Sequence, residues 1–199
     1  MPKGCLLHLH IEDSINVEWI SKIVNENKEK IYLRDFSKDI ITRYPYRLIY
    51  TEKPRKNDRN INEILNEYFK ENPDKKNLWF FLKKKEKEKL SFTKKLEKEK
   101  TNSEAWVAFM PKYFYCYHLF RYKKFFKEHL INNFKQCLED KLYRLQARYR
   151  PNLITDENFT IIPIEEELSI IQESLNEIRK IDKDFSFGII IEMIRNMKP

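Results

Sequence analysis

Residues 1–10 read Met-Pro-Lys-Gly-Cys-Leu-Leu-His-Leu-His, an apolar run that ends in two histidines one residue apart. This run predicts a buried strand over residues 4–10. Because side chains alternate across a strand, His8 and His10 are expected on the same side, whereas a helix would separate them. Two imidazoles at a strand end make half of a metal site, of the kind built at the carboxyl rim of a β/α barrel. From the residues alone, ordinary packed or exposed histidines remain the alternative.

The composition favours a folded chain of mixed structure. Of 199 residues, 41% are hydrophobic and 14% aromatic, enough for one packed domain or part of a larger one. The sequence contains two glycines, which argues against a turn-rich all-β fold and against a glycine-rich phosphate loop. Cys5, Cys116 and Cys137 include no C-x-x-C pair, so neither a zinc knuckle nor a thioredoxin-like redox site is indicated. Neither a signal peptide nor a membrane-spanning apolar run is present, and the chain taken alone is expected in the cytosol.

The net charge of +8 is concentrated in two lysine-rich runs, residues 83–89 and 94–100. Glutamates interrupt both runs, which lowers the local charge well below the lysine count. A solvated helix face or loop is one interpretation, and a patch that binds polyanions is the other.

Hydrophobic periodicity divides the rest of the chain into helices and strands. Helices are predicted over residues 17–25, 61–69 and 164–181, with one or two more within the aromatic stretch 103–139. That stretch is interpreted as core packing, although aromatic and basic residues together also occur in proteins that stack on single-stranded nucleic acid. Strands are predicted over 142–149 and 185–194, and irregular structure over 26–75. The helix over 164–181 is expected to bury a stripe formed by Ile164, Leu168, Ile171, Leu175 and Ile178.

The order of elements is strand, long insertion, strand, helix, strand, which is the beginning of a parallel α/β fold. The corresponding division places the first strand and helix in residues 1–25 and an inserted region in 26–103. Residues 104–199 hold the aromatic helices and the second and third strands.

Met-Pro-Lys-Gly-x-Leu-Leu-His-x-His resembles the first-strand motif of the adenosine deaminase superfamily, in particular its adenosine deaminase-related growth factor branch. Trp19, the aromatic segment 106–134 and Leu138-Glu139-Asp140-Lys141-Leu142 resemble further parts of the same branch. The long interval between the first two strands is similar to the inserted domain of that branch.

The resemblance implies a zinc-dependent hydrolase on a β/α (TIM-type) barrel, with a mainly helical insertion after the first strand. Such enzymes deaminate adenosine or 2′-deoxyadenosine, using zinc to lower the pKa of the attacking water. His8 and His10 match the first two zinc ligands. Glu12 is carried over as a ribose contact and Trp106 as a residue of the nucleoside pocket. A capping acid and a core tryptophan are the alternatives for these two positions.

This chain matches the N-terminal part of such an enzyme and carries none of the catalytic residues of its later strands. The third zinc histidine, the Ser/Thr-His-Ala-Gly-Glu segment and the later His and Asp motifs do not occur. Ile11 and Gln146 stand where the family usually has acids, while Arg148 retains the family arginine. His118 and His129 are interpreted as structural.

The branch is usually secreted and often dimeric, which the sequence of this chain does not address. One alternative is an inactive remnant whose insertion binds a receptor or a polyanion such as a glycosaminoglycan. Another is an unrelated helical scaffold in which the histidine motif arose by chance.

Overall fold

The computed structural model describes residues 3–11, 17–38, 46–73 and 115–192. The elements in chain order are β1 (Lys3–His10), α1 (Val17–Glu26), β2 (Ile31–Asp35), β3 (Tyr46–Tyr50), β4 (Arg59–Asn60), α2 (Ile61–Glu71), α3 (Lys123–Glu139), β5 (Leu142–Tyr149), α4 (Ile164–Arg179) and β6 (Ser186–Ile191). Residues 115–120 are also helical. None of the helices in these ranges is both long enough and apolar enough to cross a membrane.

The chain divides into two compact units. One unit, called here the parallel-sheet unit, comprises Met1–Asn16 and Phe120–Pro199. The other, called the antiparallel-sheet unit, comprises Val17–Leu119. Helix α1 therefore lies in the antiparallel-sheet unit, whereas the division made from the sequence groups it with the first strand.

The parallel-sheet unit contains a three-stranded sheet in the order β1-β5-β6. Both pairings are parallel, from Lys3 opposite Leu142 on one side and Arg144 opposite Ser186 on the other. The mixed α/β class and the parallel arrangement predicted from the sequence are thus confirmed. Strand β1 is irregular, because Leu6 pairs with Leu145 whereas Leu9 pairs with Ala147, so one extra residue lies between them.

The core of this unit lies between the sheet and helices α3 and α4. Alternate residues of β5 are buried, and they pack with apolar residues of both helices. Phe134 of α3 illustrates the packing, since its ring contacts those of Phe185 and Phe187 at centroid distances of 5.4 and 4.8 Å. The residues that form this core include Phe126, Leu130, Phe134, Leu145, Ala147, Tyr149, Ile171, Leu175, Ile178 and Phe185.

Helix α4 buries a different stripe from the one its periodicity predicts. Ile171, Leu175 and Ile178 are buried as expected, but Leu168 is 43% exposed. The buried position in the first turn is taken instead by Glu167, whose exposure is 0%. The prediction for Leu168 is therefore wrong, because a buried carboxylate occupies the space that an apolar side chain was expected to fill.

The antiparallel-sheet unit contradicts the prediction of irregular structure over residues 26–75. It holds a three-stranded sheet in the order β3-β2-β4, followed by the predicted helix α2. Over the residues described, the inserted region therefore contains an antiparallel sheet as well as a helix. These strands were not recognised because their buried positions are not all apolar. Arg34 of β2 and Arg47 of β3 face each other and are both buried, where apolar residues are normally expected. Arg34 is neutralised by Asp58, at 2.6 Å, from 24 residues further along the chain.

We expect Leu175→Ala to lower the free energy of unfolding by about 2–5 kcal/mol, because it removes a buried side chain and leaves a cavity. Leu168→Ala, on the same helix, is expected to change it by about 0.5 kcal/mol or less, since that side chain is largely exposed. Urea titration of the two variants measures the difference. Equal losses would contradict the stripe described for α4.

Candidate functional site

The carboxyl ends of the three parallel strands meet at one edge of the sheet, which is where open α/β sheets place their ligand sites. His10 is the last residue of β1 and pairs in register with Arg148 of β5. Glu192 follows β6 directly, and its backbone N–H donates to the carbonyl of Tyr149 at 2.9 Å. We call His10, Arg148, Arg150 and Glu192 the carboxyl-edge cluster.

Glu192 contacts two of the other three members of this cluster. Its Oε2 lies 3.6 Å from Nδ1 of His10 and 3.8 Å from Nη2 of Arg150. All three side chains are partly exposed, at 25–31%. Contacts this long and this exposed contribute little to stability. Their significance is that three strands place an imidazole, a carboxylate and two guanidinium groups within one small area.

The structure places the predicted site residues unequally. His10 lies in the cluster, and its partner in the motif, His8, lies in β1 within the irregular stretch between Leu6 and Leu9. The side chain of His8, together with Glu12 and Trp106, lies outside the described residues, so their predicted roles remain predictions. Within the part of the chain that the structure describes, no group of three or more His, Cys, Asp or Glu side chains is arranged to hold a metal.

His129 forms a hydrogen bond with the backbone at the end of β1. Its Nε2 lies 2.9 Å from the carbonyl oxygen of Ile11, so this nitrogen carries the proton and donates. The ring also stacks on Phe120, with centroids 5.3 Å apart. Burial lowers the pKa of His129 to about 4, which keeps the imidazole neutral at pH 7. The contact fixes the residue that follows His10 and gives His129 a structural role.

His118 lies in the antiparallel-sheet unit. Its Nε2 is 3.2 Å from Nη1 of Arg47, so it accepts a hydrogen bond from the guanidinium group. Its ring stacks on Phe36 at 5.1 Å. Burial first, and then the positive charges of Arg47 and Arg34, lower the pKa of His118 to about 3. A neutral, buried imidazole that accepts from an arginine acts here as a packing group.

Glu167 is the important residue that the sequence analysis missed. Its Oε2 accepts from the hydroxyl of Tyr149 at 2.5 Å, and its two oxygens together accept from three successive backbone N–H groups at 3.0–3.1 Å, those of Asn152, Leu153 and Ile154. The carboxylate therefore holds the turn that leaves the end of β5. Its helical phase was the available signal, because Glu167 lies three and four residues before the buried Ile170 and Ile171.

No protein-family model matches this chain, and a search of the curated proteins returned no significant match. The lysine-rich runs 83–89 and 94–100 lie outside the described residues, so the polyanion-binding interpretation stays a prediction.

Glu167→Ala is expected to lower the free energy of unfolding by about 3 kcal/mol, because it leaves the Tyr149 hydroxyl and three backbone N–H groups without their acceptor. Glu165→Ala, in the same helical turn but exposed, is the matched control and is expected to be nearly neutral. Thermal and urea unfolding measure both. A loss for Glu165→Ala as large as that for Glu167→Ala would contradict the assignment.

The stability of the chain is expected to fall as the pH falls from about 6.5 to about 4. The pKa of His129 is lower in the folded chain than in the unfolded chain, so the unfolded chain binds more protons in this pH range. The free energy of unfolding is therefore highest above pH 6.5 and falls until the pH reaches the pKa of His129 in the folded chain. For His129 the loss amounts to about 3 kcal/mol.

His129→Gln keeps a donor for the Ile11 carbonyl and does not titrate, so it is expected to flatten the dependence of unfolding free energy on pH between 4 and 6.5. His118 retains a part of that dependence in this variant, because its pKa is also lowered. Denaturant titrations at a series of pH values measure the slope. An unchanged slope in His129→Gln would contradict the role given to burial of this ring.

Proposed function

We propose that this chain forms the N-terminal part of a zinc-dependent adenosine deaminase on a β/α barrel, with His8 and His10 as its first two zinc ligands. One observation carries the proposal. His10 ends the first of the three parallel strands, at the carboxyl edge where barrel enzymes bind their ligands, and the acid that directly follows the third strand lies 3.6 Å from it.

The sheet supports the barrel interpretation through the way its two faces differ. Helices α3 and α4 cover one face in a single core. On the opposite face, Leu7 is 58% exposed, Ile190 is only partly buried, and a side chain placed at Gly188 would meet no atom within 4 Å. Parallel sheets are normally covered on both faces. In a β/α barrel the face turned away from the helices becomes the packed interior, which is the environment these apolar residues suit.

The donor chemistry at His10 suits zinc. A histidine that binds zinc commonly presents one ring nitrogen to a carboxylate and the other to the metal. Nδ1 of His10 faces Glu192, which directs Nε2 to the opposite side of the ring, as that pattern requires. His8 would add the second imidazole. Zinc, when bound, would lower the pKa of a water so that hydroxide is available at neutral pH to attack C6 of the purine.

The substrate assignment rests on the sequence resemblance. It gives adenosine or 2′-deoxyadenosine as substrate, Glu12 as ribose contact and Trp106 as a wall of the nucleoside pocket. The acid and base of the reaction belong to strands beyond the third, so turnover by this chain alone is not expected.

Zinc titration tests the proposal. In a Cys5→Ser background, which removes the exposed thiol of β1, the chain is expected to bind one Zn²⁺ by calorimetry. His10→Asn is expected to abolish this binding. Glu192→Gln is expected to weaken it about 10- to 100-fold, because it removes the carboxylate that orients the ring.

Glu157→Gln is the control for Glu192→Gln, since Glu157 is exposed and has no contact with His10 among the contacts of the described residues. Equal zinc affinity for the Cys5→Ser chain and its His10→Asn derivative would overturn the proposal. Conversion of adenosine to inosine by the chain that persists in His10→Asn would also overturn it.

A further inference from the structure

Among the residues that the structure describes, the carboxyl edge holds two arginines and one carboxylate. Arg148 and Arg150 are two residues apart, at the end of β5 and just beyond it. Glu192, which lies 3.8 Å from Arg150, is the one acidic side chain within 4 Å of either guanidinium group among the residues described. Within the described part of the chain, one carboxylate is therefore available to neutralise two guanidinium groups.

A third arginine, Arg121, lies close to Arg150. Arg121 is 4% exposed and lines a cavity of about 10 Å³ that Arg150 also lines, together with His129 and Tyr149. Guanidinium groups stay protonated at any physiological pH, and charges that are removed from water act more strongly on one another. The fixed charges of Arg148 and Arg150 are therefore suited to an anionic ligand.

The side chains of Arg148 and Arg150 are partly buried but do not use all of their hydrogen-bond donors. The Nε atom of each is buried, and no acceptor in the described part of the chain contacts it. At the same time, Arg150 is 31% exposed and Arg148 is half-buried, so the tips of both side chains reach the surface. Held stems of this kind lose little conformational entropy when they bind a ligand.

We propose that Arg148 and Arg150 form a subsite for the phosphate group of a small ligand bound at the carboxyl edge. A small rotation of each side chain turns Nε–H and one Nη–H together towards an oxyanion, in the bidentate geometry that arginine adopts with phosphate. The buried donors then gain charged acceptors. The inference rests on the proposed function only in taking this edge as a ligand site, and it selects a nucleotide over a nucleoside.

The test uses AMP, inorganic phosphate and adenosine as probes, with the full chain freed of metal by EDTA. We expect AMP and phosphate to bind the chain by calorimetry, with adenosine at least tenfold weaker than AMP. Arg148→Gln and Arg150→Gln are each expected to weaken AMP and phosphate binding about tenfold.

Arg144→Gln is the matched control, because Arg144 lies on the same face of β5, four residues from Arg148, and is exposed. It is expected to bind AMP as the parent chain does. Arg148→Lys keeps the charge and loses the planar fork, so it is expected to be weaker than the parent as well. This variant decides the question if Arg148→Gln does not fold, as judged by circular dichroism.

The outcomes separate this inference from the zinc proposal. His10→Asn is expected to lose zinc binding and keep the phosphate affinity of the parent, while Arg150→Gln is expected to bind phosphate about tenfold more weakly and to keep zinc binding. Equal AMP affinity in the parent, Arg148→Gln and Arg150→Gln would overturn the subsite, and so would binding of adenosine as tightly as AMP.

Discussion

The parallel-sheet unit depends on one buried carboxylate. Glu167 is fully buried and receives four hydrogen bonds, one from Tyr149 at the end of β5 and three from the turn that follows it. Such a group is costly to bury alone and is tolerated because every contact assists its charge. It joins the first turn of α4 to the end of β5. Tyr149 also accepts, through its carbonyl, the backbone N–H of Glu192, so the same end of β5 contacts both Glu167 and Glu192.

A second buried group supports the same edge by different chemistry. His129 is neutral and holds the carbonyl of Ile11, the residue after His10. The ends of β1 and β5 are thus each fixed by a polar side chain from a neighbouring helix, His129 from α3 and Glu167 from α4. A ligand site needs its side chains held within a fraction of an ångström, and polar contacts of this kind supply that precision. The side chains of the carboxyl-edge cluster are partly exposed, but the backbone near them is held by these buried polar contacts.

The sequence predicted the helices and strands of this unit well, because they follow simple periods, but the predicted burial of β1 is wrong, since Cys5 and Leu7 are exposed. Apolar patterns in the sequence mark the helices α3 and α4 and the strands β1 and β5. The order of these elements along the chain predicted the parallel sheet. Strand β6 was predicted to continue to residue 194, but it ends at Ile191, which leaves Glu192 at the edge instead of inside a strand. Of the candidate site, His10 was predicted from its motif, and Arg148 was noted through the resemblance alone.

The misses share one physical cause, which is that charged residues are expected on the surface. Glu167 lies in the first turn of α4, where acids usually stabilise a helix N-terminus from the surface. Arg34 and Arg47 obscured two strands for the same reason, although Asp58 and the rings of Phe36 and Tyr117 make their burial tolerable. Partners that lie 15, 24 or more residues away cannot be recognised from a local pattern.

Glu192 lies between the two chemistries that we propose for the carboxyl edge. Its Oε2 is within 4 Å of both His10 and Arg150, so its charge acts on a cation at the first and on an anion at the second. Removing that charge would weaken the hold of His10 on zinc and strengthen the hold of Arg150 on phosphate. Zinc held by His10 would favour the contact of Glu192 with the imidazole over its contact with Arg150. The two ligands are therefore expected to assist one another, because each relieves the charge that opposes the other.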